Sequence, residues 1–137
     1  MKVAVRYYTK SGNTQKLADA IAAAVQTEAK DVSVSLEEYT DVLFLGSSVY
    51  AAGVADEVKE FIANNRTKIG KIYNFSTAAL IESTYKQMKK IAAEQGVTIA
   101  EKEFHCRGSF GIMHRNRPNA EDLKKAVSFA KSVINKN

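Results

Sequence analysis

The chain predicts an α/β protein: a five-stranded parallel sheet, with helices packed on both faces in three layers. Three observations carry that prediction. Strand-like and helix-like stretches alternate from end to end of a 137-residue chain, the pattern of crossover units. Two strand runs, Val3-Tyr8 and Val42-Gly46, are near-continuously apolar, as strands covered on both faces must be. Only about five residues, "EEYTD", separate the second and third strand runs, too few for a crossover helix. Such a link can still pass over one strand, because an extended residue advances ~3.3 Å and neighbouring strands lie ~4.8 Å apart. The second strand is therefore expected at an edge, with the first strand between it and the third.

Each element follows from its pattern. Val3-Tyr8 is the first strand, rich in β-branched and apolar residues. Residues 14 to about 28 form a helix whose stripe is Leu17, Ala18, Ile21 and Val25. Val32-Leu36 alternates apolar and polar, as a half-exposed edge strand does. After "VLFLG" comes a second helix with Val54, Val58, Phe61 and Ile62 inward. Lys71-Ser76 is a fourth strand. Residues 83 to 95 form the third helix, with Tyr85, Met88, Ile91 and Ala92 inward and Gly96 as its stop. Val97-Cys106 reads as a long last strand. In the closing helix Asn119 and Asp122 have N-cap and N3 spacing, and Leu123, Ala126, Val127, Ala130, Val133 and Ile134 form the stripe.

Composition narrows the function. Apolar residues make up 45% and charged residues 26%, values of a single globular domain spanning 1–137. No apolar run reaches the ~20 residues of a membrane span, and the N-terminus lacks the pattern of a signal peptide. Cys106 is the lone cysteine, which suits a reducing, cytoplasmic setting. The net charge is +5, but no aromatic-interleaved basic stretch or zinc spacing supports nucleic-acid binding. The pairs Lys89-Lys90 and Lys124-Lys125 read as solvated helix faces.

The informative stretch is Thr9-Lys10-Ser11-Gly12-Asn13-Thr14, between the first strand and the first helix. A helix start carries unpaired N–H groups and partial positive charge, and Gly12 permits positive φ or close approach. The hydroxyls of Thr9, Ser11 and Thr14 and those amides suit a phosphate. Asn13 also suits an N-cap, so plain helix capping fits the same residues. Neither the triphosphate P-loop nor the G-x-G-x-x-G dinucleotide pattern is present.

"TKSGNT" resembles the FMN phosphate loop of flavodoxins, [ST]-x-[ST]-G-x-[ST]. "GSSVYAAG", Gly46-Gly53, resembles the family's second flavin loop. "NFSTAAL", Asn74-Leu80, falls where its third loop follows the fourth strand. The resemblance covers essentially the whole chain. It implies strand order 2-1-3-4-5, with FMN at the switch point between the first and third strands. It also implies that Thr9, Ser11, Gly12, Asn13 and Thr14 hold the phosphate. Ser48, Val49, Tyr50 and Ala51 would line one side of the isoalloxazine ring, with Tyr50 either stacked on it or half-buried at a strand end. Ser76, Thr77, Ala78 and Ala79 would present backbone groups to the ring's polar edge. Ala52-Gly53 would rearrange as the flavin takes up an electron.

The implied function is that of a soluble electron carrier between redox proteins, with no catalytic residue of its own. An FMN-dependent NAD(P)H/quinone-type reductase on the same fold is the alternative, and a flavin-free anion-binding module the third reading. The chain departs from the family in two ways. It is basic where the family is usually acidic, which implies a less reducing couple and partners with acidic docking faces. Its third loop also lacks the family's aromatic-Gly-Asp flavour; Tyr85, several residues later, either covers the outer flavin face or leaves the flavin more open to a substrate. "FHCRGSFGIMHR" superficially matches a cysteine-phosphatase loop, but Ile112 stands where the H-C-x5-R arginine is required. Arg107, Gly108 and Ser109 emerge at the ligand-binding end of the sheet.

Overall fold

In the computed structural model the described residues are 1–50, 53–78, 83–108 and 116–136, with backbone only at 49 and 50. The strands are β1 (Val3–Tyr7), β2 (Ala29–Asp31), β3 (Thr40–Tyr50), β4 (Gly53–Val54), β5 (Ile69–Ala78) and β6 (Phe104–Arg107). The helices are α1 (Asn13–Ala24), α2 (Asp56–Asn65), α3 (Tyr85–Glu94) and α4 (Ala120–Lys136). Five strands pair in the order β2-β1-β3-β5-β6, all parallel, while β4 folds back antiparallel on β3. The expected edge position of the second strand, one strand from the third, is therefore realised.

Two cores follow from the period-2 alternation of the strands. Leu43, Leu45 and Ile72 face Val58, Phe61 and Ile62 of α2 and Met88, Ile91 and Ala92 of α3. Val5, Val42, Phe44 and Phe75 face Leu17, Ala18 and Ile21 of α1 and Ala126, Phe129 and Ala130 of α4. Phe44 and Phe75 are fully buried, each worth roughly 1.5–3 kcal/mol of transfer free energy. Phe129, which the α4 stripe omitted, meets Phe44 edge-on at 5.9 Å.

Helix ends match their chemistry. α1 stops at Ala24, not near 28, because Gln26 takes φ 58° and Thr27 N–H bonds back to Ala22 O at 2.9 Å, a Schellman closure. Gly96 closes α3 the same way: its φ is 69°, and Val97 N–H reaches Ala92 O at 2.9 Å. At α4, Asn119 Oδ1 accepts Asp122 N–H at 3.0 Å and Asp122 Oδ2 accepts Asn119 N–H at 2.8 Å, the reciprocal box the spacing predicts.

Three further boundaries differ from the sequence pattern. The edge strand is Ala29–Asp31 rather than Val32-Leu36. Asp31 ends it by accepting Ser33 N–H at its side chain (2.8 Å) and Val34 N–H at its carbonyl (3.0 Å). Nor does burial alternate over 32–36: Val32 and Leu36 are buried, but Val34 is exposed together with Ser33 and Ser35, and side chains replace the ladder. Buried Arg6 donates Nε to Val34 O (2.9 Å) and Nη2 to Ser35 O (3.3 Å), Lys68 donates to Leu36 O, and Asn65 Oδ1 accepts Leu36 N–H. Burial pulls the Arg6 pKa below its ordinary value, partly offset by Glu37. Val54 lies in β4, not α2, and packs into the core from there. The last strand is only Phe104–Arg107; before it, Ile99 makes a single parallel bridge to Ile72.

Candidate functional site

The C-terminal ends of β1, β3 and β5 point the same way, and the sheet reverses direction of winding between β1 and β3. A cleft there is where open α/β sheets bind ligands. The first loop leaves β1 at Tyr7 and enters α1 at Asn13. Gly12 is the N-cap, with φ 89°, and Asn13 is the first residue of the helix. The expectation that Asn13 caps the helix is corrected: the left-handed backbone falls at the glycine, which alone adopts it without strain. Nothing lies within 4 Å of a Cβ placed on Gly12, so the loop's outer side is open.

Thr9 Oγ1 accepts Gly12 N–H at 3.0 Å and Ser11 Oγ accepts Asn13 N–H at 3.4 Å. Hydroxyls thus converge on the amides of the helix start, where the dipole favours an anion. Thr14 is fully buried, and its Oγ1 lies 3.0 Å from Thr77 Oγ1. The Thr14 methyl and the Phe75 ring close over Gly46: a Cβ there would stand 2.9 Å from Thr14 Cγ2 and 2.2 Å from Phe75 Cε2. Gly108 closes the other side, with a would-be Cβ 3.0 Å from both Asn13 Nδ2 and Thr77 Cβ. The structure therefore brings Asn13, Thr14, Thr77 and Gly108 into one cluster.

The ends of β3 and β5 carry an unusual load for buried strands: Ser47, Ser48, Asn74, Ser76 and Thr77 are all buried. Register sets Ser47 opposite Ser76 and Ser48 opposite Thr77. Thr84, just before α3, gathers one face of this layer. Its Oγ1 accepts from Ser47 Oγ and from Asn74 Nδ2, both at 3.0 Å, and its N–H donates to Ser76 Oγ at 3.3 Å. Ser48 Oγ and Asn74 Oδ1 are buried without a hydrogen-bond partner among the described residues. Such atoms are costly unless something supplies a partner.

Ser48, Ser76, Thr77 and Ala78 thus stand where the sequence places them, at the strand ends. For Val49 and Tyr50 only the backbone is described, and Ala51, Ala79 and Ser109 lie outside the described residues. Gly53 has φ 91°, in the left-handed region where glycine is at ease, while its neighbour Ala52 lies outside them too. Sequence reading placed Gly46, Ser47 and Asn74 in the flavin loops without giving them a role, and it missed Thr84 altogether. The readable signal was polarity at the ends of "VLFLGSS" and "KIYNFST", where a purely structural strand would stay apolar.

At the edge of the site Glu103 bridges Ser83 Oγ and His105 Nδ1, the latter at 2.6 Å. Burial and then Glu101 and Glu103 push the Tyr85 phenol above its ordinary pKa. Near the first loop, the Tyr8 hydroxyl bonds Glu57 at the start of α2, and that bond together with Lys10 holds Glu57 below the usual carboxylate range. Cys106 faces the opposite core; burial raises its thiol to about 12, so it is no nucleophile. Among the described residues no cluster could hold a metal ion, and no helix is long and apolar enough to cross a membrane.

Comparison with known proteins agrees with this geometry. A relative from Methanocaldococcus jannaschii, an uncharacterized protein, is 29% identical over 136 residues, covering 89% of this chain and 90% of its own. Among solved structures, a flavodoxin from the domain Archaea superposes with a TM-score of 0.80 at 17% identity, over 99% of this chain and 98% of that one. Oxidised flavodoxin 1 from Bacillus cereus gives 0.75 at 20% identity, over 98% of both. These two show a shared fold. The flavodoxin domain model itself matches residues 4–109, from β1 through the end of β6, and so spans every strand and all three loops: the chain belongs to the flavodoxin domain family.

Proposed function

We propose that this protein binds FMN at the switch point and carries electrons between redox proteins. The observation that carries the reading is the first loop. Helix-start amides lie behind a left-handed Gly12, hydroxyls of Thr9 and Ser11 converge on them, and Thr14 is pinned beneath. That donor set fits a phosphate dianion, and the buried Ser48 Oγ, without a partner among the described residues, fits a polar ring edge or ribityl hydroxyl. Bound FMN would supply the electron chemistry; the chain would bind, orient and shield it.

Thr9, Ser11, Gly12, Asn13 and Thr14 would hold the phosphate, with Thr9 and Ser11 turning their hydroxyl protons outward toward it. Ser48, Val49, Tyr50 and Ala51 would flank the ring on one side, and Ser76, Thr77, Ala78 and Ala79 on the other. The basic balance of the chain, +5 overall, favours a negatively charged reduced flavin and redox partners with acidic docking faces. The lone cysteine suits a reducing, cytoplasmic compartment.

The test is titration of flavin-free protein with FMN and with riboflavin, followed by flavin fluorescence and visible absorption. FMN should bind at least ~100-fold more tightly than riboflavin, since the phosphate carries the charge-assisted contacts. Equal affinities, or no change on adding excess FMN, overturn the reading. Slow turnover with a nicotinamide donor and a quinone, beside rapid reduction of an acidic acceptor protein that weakens with salt, separates carrier from enzyme.

A further inference from the structure

The exposed face of α3 holds a side chain that does not behave as a solvated one. Gln87 Oε1 accepts the backbone N–H of Val54 at 3.0 Å, reaching back 33 residues. Val54 belongs to β4, which pairs Val49↔Val54 and Tyr50↔Gly53 with the end of β3. An antiparallel ladder turns every second N–H away from the neighbouring strand, and this one is taken by the helix. The same oxygen lies 3.1 Å from the position a Cβ would take on Gly53, whose φ is 91°. Gln87 therefore abuts the hairpin at the two residues that follow the second loop.

The neighbouring turn acts on the other loop. Thr84, three residues earlier, ties the ends of β3 and β5 together through Ser47, Asn74 and Ser76. The start of α3 thus touches both strand ends from which the ring-contacting segments emerge. Met88, next to Gln87, is fully buried and anchors the helix. Gln87 itself is exposed and opens onto a groove of about 490 Å³ shared with Lys59 and Lys90, so it contributes little packing and has room to vary.

We infer that Gln87 is a positioning residue for the flavin: its carboxamide fixes β4, Gly53–Val54, against the end of β3, and so holds the strand end that the FMN reading sets beside the ring. This inference rests on the FMN reading above. Because the contact is a single, part-buried hydrogen bond, its loss should cost about 3- to 10-fold in FMN affinity, without unfolding the helix.

The experiment compares wild type with Gln87→Leu and Gln87→Glu. Leucine is a good helix former that cannot accept the bond; glutamate keeps the acceptor and the reach. Amide hydrogen exchange at Val54 is read in the flavin-free proteins, FMN dissociation constants by fluorescence titration, and melting temperatures as a folding control. The expected result is Val54 exchange and FMN dissociation constant both raised about 3- to 10-fold in the leucine variant, and both largely recovered in the glutamate variant, with melting temperatures alike. Wild-type affinity in the leucine variant, unchanged Val54 exchange, or equal losses in both variants overturns the clamp while leaving FMN binding intact. A wild type that takes up no FMN overturns both readings.

Discussion

Thr14 and Thr77, 63 residues apart, share a buried hydrogen bond of 3.0 Å between their Oγ1 atoms. It joins the first turn of the first helix to the end of β5, so the proposed phosphate loop and the proposed ring loop are fixed against each other by one contact. Removing one hydroxyl strands its partner in a dry place; removing both leaves a near-isosteric apolar pair. Thr14→Val and Thr77→Val should each destabilise the fold by about 1–2 kcal/mol, and the double variant by clearly less than their sum. Urea denaturation of the three variants measures the coupling, which should be on the order of 0.5–1.5 kcal/mol; additivity within error would mean the two hydroxyls act independently. FMN affinity should fall in all three.

Gly46 has no room for a methyl group. A Cβ would meet the Phe75 ring at 2.2 Å and the Thr14 methyl at 2.9 Å, and both side chains are themselves fully buried. Gly46→Ala should cost about 1–3 kcal/mol, as overpacking of a filled core does. Because the displaced group is Thr14, it should also weaken FMN binding more than a core substitution of equal cost at Val133, on the remote helix. Measuring both quantities in Gly46→Ala and Val133→Ala decides the matter; parallel losses would mean that Gly46 matters only for packing.

Acid sensitivity should centre on Asp122. Burial acts to raise its pKa, but the Arg117 guanidinium, bonded at 2.6 and 2.8 Å, and the Asn119 amide outweigh it and hold the carboxyl below its ordinary value. A carboxyl depressed in the folded state binds its proton more readily when unfolded, so its stabilisation is full above the unfolded value of ~3.9 and disappears as pH falls below it. Asp122→Asn should cost about 1–2 kcal/mol at neutral pH, Arg117 being partly exposed, and should flatten the stability profile below about pH 4. A variant with the wild-type acid slope would place the sensitivity elsewhere.

The thiol of Cys106 should be silent. With its pKa raised to about 12 by burial and by nearby Asp122, almost none is thiolate at neutral pH. Alkylation by iodoacetamide at pH 8 should be slower by more than ~100-fold in the folded protein than in denaturant. Comparable rates would show that the end of β6 opens readily.

Much of this architecture was legible because apolar periodicity and strand alternation are local. The stripe Leu17-Ala18-Ile21, the run "VLFLG" and the Asn119–Asp122 box each needed only their own neighbours. The lack of room for a crossover helix between the second and third strands pointed to the edge position, although the link is residues 32–39, between Asp31 and Thr40, rather than the five residues read from the pattern. What stayed hidden depended on distant partners. Nothing near Val32-Leu36 reveals that Arg6 will satisfy its carbonyls, so an alternating stretch passed for a ladder. Nothing near Gln87 reveals a hairpin 33 residues earlier. The phosphate loop was readable as a motif, yet its cap fell on Gly12 rather than Asn13, since backbone handedness outranked side-chain preference. The polar ends of β3 and β5 were visible, but the hub role of Thr84 needed the fold.

The brevity of β2 has a consequence for behaviour in crowded solution. Ala29–Asp31 offers an incoming strand only three residues of open ladder, with Lys30 at its centre, before Asp31 bends the chain and Arg6 occupies the carbonyls beyond. A long, flat, apolar border invites strand addition and fibril growth; this border is too short and too charged to template either. The buried arginine that replaces the ladder thereby also protects the sheet from self-association along that side.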